Sequence, residues 1–281
     1  MGSLKVIRAE YAGACYGVQR ALDMTLEASK RGSSVCTLGP LIHNPRVVES
    51  LEAQGIGVAH SVDDIQAHDV VIRSHGVVPQ VIKDIKERGF SVVDATCPHV
   101  MRAQRAAAKL ARDGRYVLVV GEAGHPEVEG ISAHAREAGG TCAIVGGASD
   151  IPDALPERVG VVVQTTQSQQ KLSEVLEALE ARGLDVEVKN TICSATVQRQ
   201  ASAINLARQV DAMVVIGGRN SSNTTRLYEI CSQHCSRAFH IEDAEEIDPS
   251  WFEGCTTVGV SAGASTPEDQ IDAVVAYLSE L

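Results

Sequence analysis

Apolar runs of strand length, each followed by a stretch with helical signals, recur along this 281-residue chain. Val35-Cys36-Thr37-Leu38 precedes a helix expected from Pro45 to Gln54 and stopped by Gly55. Val70-Val71-Ile72-Arg73 leads, through Ser74-His75-Gly76, into a helix from Pro79 to Arg88. Val92-Val93-Asp94 leads into a helix from Pro98 to Asp113, with Pro in its first turn and Gly114 at its end. Further strands are expected at Tyr116 to Val120, Cys142 to Val145, Val159 to Val163, Val186 to Lys189, Met213 to Ile216 and Thr257 to Val260. Helices are expected at Ser168 to Ala181, Thr196 to Gln209, Thr224 to Ser232 and Pro267 to Leu281. Strands alternating with helices predict parallel α/β units. Aromatic residues are only 3% of the chain, so the core must be Val, Ile, Leu and Ala, as in a parallel sheet covered on both faces.

Three cysteines fall between a strand and the start of a helix: Gly13-Ala14-Cys15-Tyr16-Gly17, Asp94-Ala95-Thr96-Cys97-Pro98 and Asn190-Thr191-Ile192-Cys193-Ser194. Parallel α/β folds bind ligands where strands end and helices begin. Three thiols delivered there can meet at one point. Three thiolates are one short of a closed tetrahedral metal site, and an iron–sulfur cluster held that way keeps one iron open for chemistry. The cysteines recur at comparable intervals, which predicts three small α/β lobes with mostly parallel sheets arranged pseudo-threefold around a common centre. The expected lobes are residues 14–97, residues 98–193, and residues 194–281 joined by 1–13. No sequence identity between them is evident, so the repeat is architectural.

The formal charge of −11 argues against nucleic acid or an anionic membrane as the main partner, and requires any anionic ligand to be held locally. The start Met1-Gly2-Ser3-Leu4-Lys5-Val6 carries neither a signal-peptide apolar stretch nor a myristoylation pattern. Apolar runs stay far short of a membrane span. Eight cysteines in a chain of this class suggest reduced thiols in the cytoplasm rather than a disulfide frame.

Polar clusters also collect just past strand ends: His43-Asn44-Pro45, Ser74-His75-Gly76, Gly124-His125-Pro126-Glu127, Gln164-Thr165-Thr166, Asn220-Ser221-Ser222-Asn223 and Ser261-Ala262-Gly263-Ala264-Ser265. Each alone reads equally well as a helix N-cap. Six at equivalent positions, three with His, favour a site where helix N-termini and neutral donors hold an anion without a Lys/Arg clamp. Glu127 follows a loop histidine on the first turn of a helix. There it either moves protons or compensates the helix dipole, a role better suited to Glu129. Cys36 and Cys142 lie inside strands as small core residues, and Cys255 precedes a strand. Cys231, His234 and Cys235 share a helix at spacings that allow a metal site, although one helix would supply every ligand. There is no Walker A loop, no His-Glu-x-x-His and no Gly-x-Gly-x-x-Gly after the first strand.

Taken together these blocks resemble the 4-hydroxy-3-methylbut-2-enyl diphosphate reductase family (LytB/IspH) over essentially the whole chain. The resemblance is carried by Leu41-Ile42-His43-Asn44, Ser74-His75-Gly76-Val77, Asp94-Ala95-Thr96-Cys97-Pro98, Gly124-His125-Pro126-Glu127-Val128-Glu129-Gly130, Gln164-Thr165-Thr166, Cys193-Ser194-Ala195-Thr196, Asn220-Ser221-Ser222-Asn223 and Ala262-Gly263-Ala264-Ser265. It implies that Cys15, Cys97 and Cys193 hold one [4Fe–4S] cluster with an open iron. It also implies that His43, His75, His125, Ser221, Ser222, Asn223 and Ser265 bind a diphosphate, and that Glu127, with Thr165, relays protons to the substrate hydroxyl. One departure stands at the first cysteine, where the family commonly has Gly-Phe-Cys-Ala-Gly-Val and this chain has Gly13-Ala14-Cys15-Tyr16-Gly17-Val18.

The implied reaction is reductive dehydroxylation of an allylic diphosphate to isopentenyl and dimethylallyl diphosphate, the last step of the non-mevalonate isoprenoid route. It uses an external electron donor such as ferredoxin or flavodoxin. Rival readings are another open-iron enzyme (a dehydratase or a quinolinate synthase-like enzyme), a non-catalytic iron–sulfur sensor, and a zinc hydrolase. The first would need carboxylate-binding groups, and the second leaves Glu127 without a task. Colour and iron analysis separate the third.

Overall fold

A computed structural model describes residues 4–281; Met1-Gly2-Ser3, on which part of the N-terminal expectations rests, lie outside the described residues. In chain order the elements are β1 (Lys5–Arg8), α1 (Tyr16–Lys30), β2 (Val35–Leu38), α2 (Pro45–Ala53), β3 (Gly57–Ala59), β4 (Asp69–Ile72), α3 (Pro79–Glu87), β5 (Ser91–Asp94) and α4 (Pro98–Arg112). They continue with β6 (Tyr116–Val120), α5 (Pro126–Glu137), β7 (Cys142–Val145), β8 (Arg158–Val163), α6 (Gln169–Glu180), β9 (Asp185–Lys189) and α7 (Ser194–Ala207). Last come β10 (Ala212–Ile216), α8 (Ser222–Ser232), β11 (Ala238–Ile241), β12 (Thr257–Ala262) and α9 (Glu268–Glu280). The expected strands and helices all form, with ends shifted by one or two residues. Two further strands, β3 and β11, were not expected; they are only three and four residues long.

The described strands form three four-stranded sheets, and every pairing is parallel. Their orders are β3-β2-β4-β5, β7-β6-β8-β9 and β11-β10-β12-β1. These are one topology used three times. In the third sheet the chain's first strand takes the place of the fourth. Each sheet is built as strand, helix, strand, 3₁₀ turn, strand, helix, strand, except that the last strand of the third sheet comes from the N-terminus. One further helix, α1, α4 or α7, follows each fourth strand. The right-handed βαβ rule and short connections favour this repetition once alternating elements exist.

The cores are aliphatic. Val117 to Val120 are fully buried, as are Val70 to Ile72 and Ala212 to Ile216. Such runs need a cover on both faces. In the sheet around β6 one face packs on Ala103, Ala107 and Leu110 of α4 with Val128 and Ile131 of α5, and the other on Leu172, Val175 and Leu179 of α6. The helix α4 closes at Gly114, whose φ of 73° is the left-handed conformation that ends a helix.

Packing gathers the chain into two compact units. One comprises the segment ending at Val18, Ile42–Glu49 and Ser194–Leu281, and contains the sheet β11-β10-β12-β1. The other comprises Gln19–Leu41 and Ser50–Cys193, and contains the other two sheets.

Candidate active site

Each unit assembles its own set of the expected residues. In the unit holding β10 and β12, the loops after these two strands are stacked against each other. Gly263 N–H donates to the Ile216 carbonyl at 2.9 Å, and the Thr266 hydroxyl donates to the same oxygen at 3.0 Å. The loop before α2 joins them: the Ser265 hydroxyl donates to the His43 carbonyl at 3.1 Å, and Asn44 Nδ2 donates to the Ser265 carbonyl and to Gln270 Oε1, both at 3.0 Å. Gly218 has no room for a side chain, because a Cβ there would stand 2.7 Å from the His43 carbonyl oxygen. His43, Ser221 and Ser265 are thus carried on three interlocked loops, with Ser222 and Asn223 on the first turn of α8 directly after one of them.

Ser221 caps α8, its hydroxyl oxygen accepting from Thr224 N–H at 3.4 Å, which leaves its O–H to donate elsewhere. Asn223 is buried on the first turn of α8, and its Nδ2 has no hydrogen-bond partner within the protein. A buried amide donor left unmatched is costly, so its placement beside a helix N-terminus suits an anion.

In the other unit the loops after β4, β6 and β8 supply His75, His125 and Thr165, and the first turn of α5 supplies Glu127. The side chain of Glu127 is closed off from solvent at 1% exposure. Its Oε1 accepts from Thr165 N–H at 2.6 Å and its Oε2 from the Thr165 hydroxyl at 2.9 Å. Burial pushes the carboxyl up, the two Thr165 bonds pull it down, and the balance falls at about 7. A group poised there can both give and take a proton at neutral pH.

His125 caps α5, its Nδ1 accepting from Glu127 N–H at 3.1 Å. With Nδ1 accepting, the ring proton sits on Nε2. His75 meets it edge-to-face, with ring centroids 5.5 Å apart. Glu129, on the same helix turn, accepts from Gly124 N–H at 3.1 Å.

The three cysteines occupy one topological position. Each follows the edge strand of its own sheet, β1, β5 or β9, and each precedes a helix. Each amide donates to the loop after the neighbouring strand: Cys15 N–H to the Ala264 carbonyl at 3.0 Å, Cys97 N–H to that of Ser74 at 2.9 Å and Cys193 N–H to that of Thr165 at 2.9 Å. Each cysteine backbone is therefore anchored at or beside a residue of the polar set: Ser265, His75 or Thr165 itself.

Three of the other five cysteines are disfavoured as metal ligands. Burial raises the thiols of Cys36, Cys142 and Cys231, the last to about 12, so they resist the thiolate form a metal needs. The expectation that Cys231, His234 and Cys235 share a helix is corrected. The helix α8 ends at Ser232, and Cys235 turns its thiol toward the Val210, Asp211 and Arg237 carbonyls. Among the described residues these three form no metal-binding group.

Sequence reasoning gave no task to Asn44 or Gln164, although both stand in the quoted clusters. Asn44 is buried and ties two loops together. Gln164 is buried with its Oε1 accepting from Glu122 N–H at 3.0 Å and its Nε2 without a protein partner. Their signal was position within a cluster, which does not reveal which neighbour a side chain will meet.

Fold and site define a parallel α/β protein with three strand-end cysteines, loops rich in neutral polar side chains and a buried carboxyl raised to about 7. The LytB protein family model matches residues 6–279, and the chain belongs to this family. It is 46% identical to the 4-hydroxy-3-methylbut-2-enyl diphosphate reductase of Geobacter sulfurreducens over 99% of this chain and 98% of that protein. It is 47% identical to the enzyme of the same name from Trichlorobacter lovleyi over 99% of each. A solved structure of (E)-4-hydroxy-3-methyl-but-2-enyl diphosphate reductase, described as the terminal enzyme of the non-mevalonate pathway, matches with a TM-score of 0.73 at 43% identity. That match covers 99% of this chain and 100% of the other. The Plasmodium falciparum E-1-hydroxy-2-methyl-but-2-enyl-4-diphosphate reductase shares the fold, with a TM-score of 0.92 at 23% identity over 98% of this chain and 88% of that one.

Family membership implies an iron–sulfur cluster. The chain's donor set fits one: its soft thiols stand outside disulfides, and the three at strand ends are neither fully buried nor fully exposed. Among the described residues, no helix is long and apolar enough to cross a membrane.

Proposed function

We propose that this chain reduces 4-hydroxy-3-methylbut-2-enyl diphosphate to isopentenyl and dimethylallyl diphosphate. Two electrons and two protons convert the allylic alcohol to product and water. Cys15 and Cys97, at the two ends of the lobe 14–97, and Cys193, at the end of the lobe 98–193, contribute the ligands of one [4Fe–4S] cluster, and residues 194–281 with 1–13 form the third lobe. Three cysteines leave one iron without a protein ligand. When bound, that cluster supplies single electrons and a Lewis-acidic iron for the substrate hydroxyl.

The protein residues carry the rest. His43, His75, His125, Ser221, Ser222, Asn223 and Ser265 bind the diphosphate through neutral N–H and O–H donors and helix N-termini. This suits an anion entering a chain of net charge −11, because the positive field it needs is local. Fixing the diphosphate orients the allylic end. Glu127 delivers the proton to the departing hydroxyl, and the Thr165 O–H, which can accept as readily as it donates, passes the proton along. Electrons come from a small carrier such as ferredoxin or flavodoxin, and a thiol-rich iron–sulfur protein suits the reducing cytoplasm.

The observation that carries this reading is the buried Glu127–Thr165 pair, with Cys193 hydrogen-bonded to the Thr165 backbone. A proton donor is thereby bonded to the residue that anchors one thiol ligand. The test is anaerobic purification, a Mössbauer spectrum, and turnover of the allylic diphosphate with reduced methyl viologen. Absence of a [4Fe–4S] spectrum with a differentiated fourth iron, or absence of turnover by loaded protein, would overturn it.

A further inference from the structure

Two arginines turn back to the loops that carry the cysteines. Arg199, only 5% exposed, sits on α7, the helix that begins at Ser194 directly after Cys193. Its Nη2 donates to the Gly13 carbonyl, two residues before Cys15, at 2.6 Å. Its Nη1 donates to the Ala195 carbonyl on the first turn of α7 at 3.4 Å. Arg20, half-buried, sits on α1, the helix that begins at Tyr16 directly after Cys15. Its Nη1 donates to the carbonyl of Thr96, the residue before Cys97, at 3.2 Å. The pattern is used twice: an arginine five or six residues beyond one cysteine holds the backbone just ahead of another.

Neither arginine is the sole tie of its loop. The Cys15 loop is also held by Tyr11 N–H donating to Ser202 Oγ at 3.3 Å, Gly13 N–H to the Ala262 carbonyl at 3.4 Å and Cys15 N–H to the Ala264 carbonyl at 3.0 Å. The Cys97 loop is held by Cys97 N–H donating to the Ser74 carbonyl at 2.9 Å and Thr96 N–H to Asp94 Oδ1 at 3.0 Å. A carbonyl can be satisfied by a neutral amide at far smaller desolvation cost than by a buried guanidinium. What the guanidinium adds is a positive charge, and burial protects it from screening. Three thiolates make an iron–sulfur centre anionic and reduction makes it more so, which is why nearby charge helps to set its potential.

We propose that Arg199 and Arg20 are positioning residues for the Cys15 and Cys97 ligands, and that their charge raises the reduction potential of the cluster these cysteines hold. The proposal rests on the reading above, in which Cys15, Cys97 and Cys193 hold one cluster. Each arginine fixes a carbonyl just ahead of a ligand, so the thiol leaves the backbone in a set direction. Each also lowers the cost of adding an electron to an anionic centre. Arg199 has the larger effect, because a charge held in the interior is felt more strongly than one shared with water.

The test uses anaerobically purified holoenzyme carrying Arg199→Met, Arg199→Lys or Arg20→Met, followed by redox titration monitored by electron paramagnetic resonance. Arg199→Met is expected to lower the ratio of reduced to oxidised cluster at a fixed poise about tenfold, a midpoint about 59 mV more negative for one electron. Arg199→Lys keeps the charge but loses the forked donor. It is expected to keep most of the wild-type midpoint while releasing iron to a chelator severalfold faster. Arg20→Met shifts the midpoint in the same direction by less. A wild-type midpoint in loaded Arg199→Met overturns the proposal even if that variant melts at a lower temperature, because a purely structural strap moves stability alone. Equal midpoint losses in Arg199→Lys and Arg199→Met overturn it too, since the charge would then have no part, and so does iron release from Arg199→Lys at the wild-type rate. If Arg199→Met holds no cluster, Arg20→Met, on a different helix, decides, and an unchanged midpoint there overturns the proposal. A wild-type protein without a [4Fe–4S] spectrum would instead condemn the reading on which the proposal rests.

Discussion

Replacing Glu127 with Gln separates proton transfer from helix capping, and the structure sets the size of both effects. Gln keeps the two contacts with Thr165: its Oε1 accepts from the Thr165 N–H, and its Nε2 donates to the Thr165 hydroxyl, which turns to accept. What changes is charge. Burial holds the Glu127 carboxyl at about 7 in the folded protein against 4.5 for a free one. The folded state therefore binds the proton more tightly than the unfolded state. The contribution to stability is fully present below about pH 4.5 and is lost as pH rises through about 7. The full difference amounts to about 3 kcal/mol. Urea melts of wild type and Glu127→Gln between pH 5 and 8.5 should therefore diverge, with the variant gaining relative stability toward alkaline pH.

Turnover should move the other way. With no acidic proton to give, the variant should lose on the order of a hundredfold or more in rate with a fully loaded cluster and substrate still bound. Wild-type turnover should itself fall above about pH 7 as Glu127 ionises. Parallel stability–pH curves for the two proteins would refute the burial argument. Near-normal turnover of Glu127→Gln would return Glu127 to the helix N-terminus.

Serine at Cys15, Cys97 or Cys193 should each abolish the intact cluster spectrum, while serine at Cys36, Cys142, Cys231, Cys235 or Cys255 should leave it; a normal [4Fe–4S] spectrum in Cys97→Ser would sink the three-cysteine assignment. Asn223→Ala should weaken binding of the allylic diphosphate by about tenfold, the worth of a lost charge-assisted hydrogen bond. It should leave the already poor binding of the dephosphorylated alcohol unchanged, as calorimetry would show. Gly218→Ala adds a methyl 2.7 Å from the His43 carbonyl oxygen. It should push apart the loops bearing His43 and Ser221, raising KM while lowering stability by about 1–3 kcal/mol in denaturant titration.

How far the sequence reached is visible in single residues. Val117 to Val120 could only be a strand buried on both faces, because an unbroken apolar run of that length, closed by Gly121, has no wet face. The helix after Cys97 was legible from Pro98 and Gly114, which act through local backbone geometry. Chemistry carried by residue type was legible too. Cysteines at strand ends, a histidine ahead of Pro126-Glu127 and clustered hydroxyls are local patterns, and the turn that presents them is encoded within a few residues.

Two kinds of fact lay beyond the sequence. The first is pairing across long separations. That β1 fills the fourth place of the sheet of β10, β11 and β12, and that Asn44 reaches Ser265 and Gln270, depends on contacts between segments far apart, and no local propensity records them. The same blindness placed His234 and Cys235 on a helix that stops at Ser232. The second is environment. Glu127 and Glu129 are the same residue type two positions apart on one helix turn. Only the fold buries one against Thr165, at about 7, and leaves the other half-exposed to cap Gly124. Residue type set the chemistry available to this chain; burial, which follows from the whole packed structure, decided which carboxyl could use it.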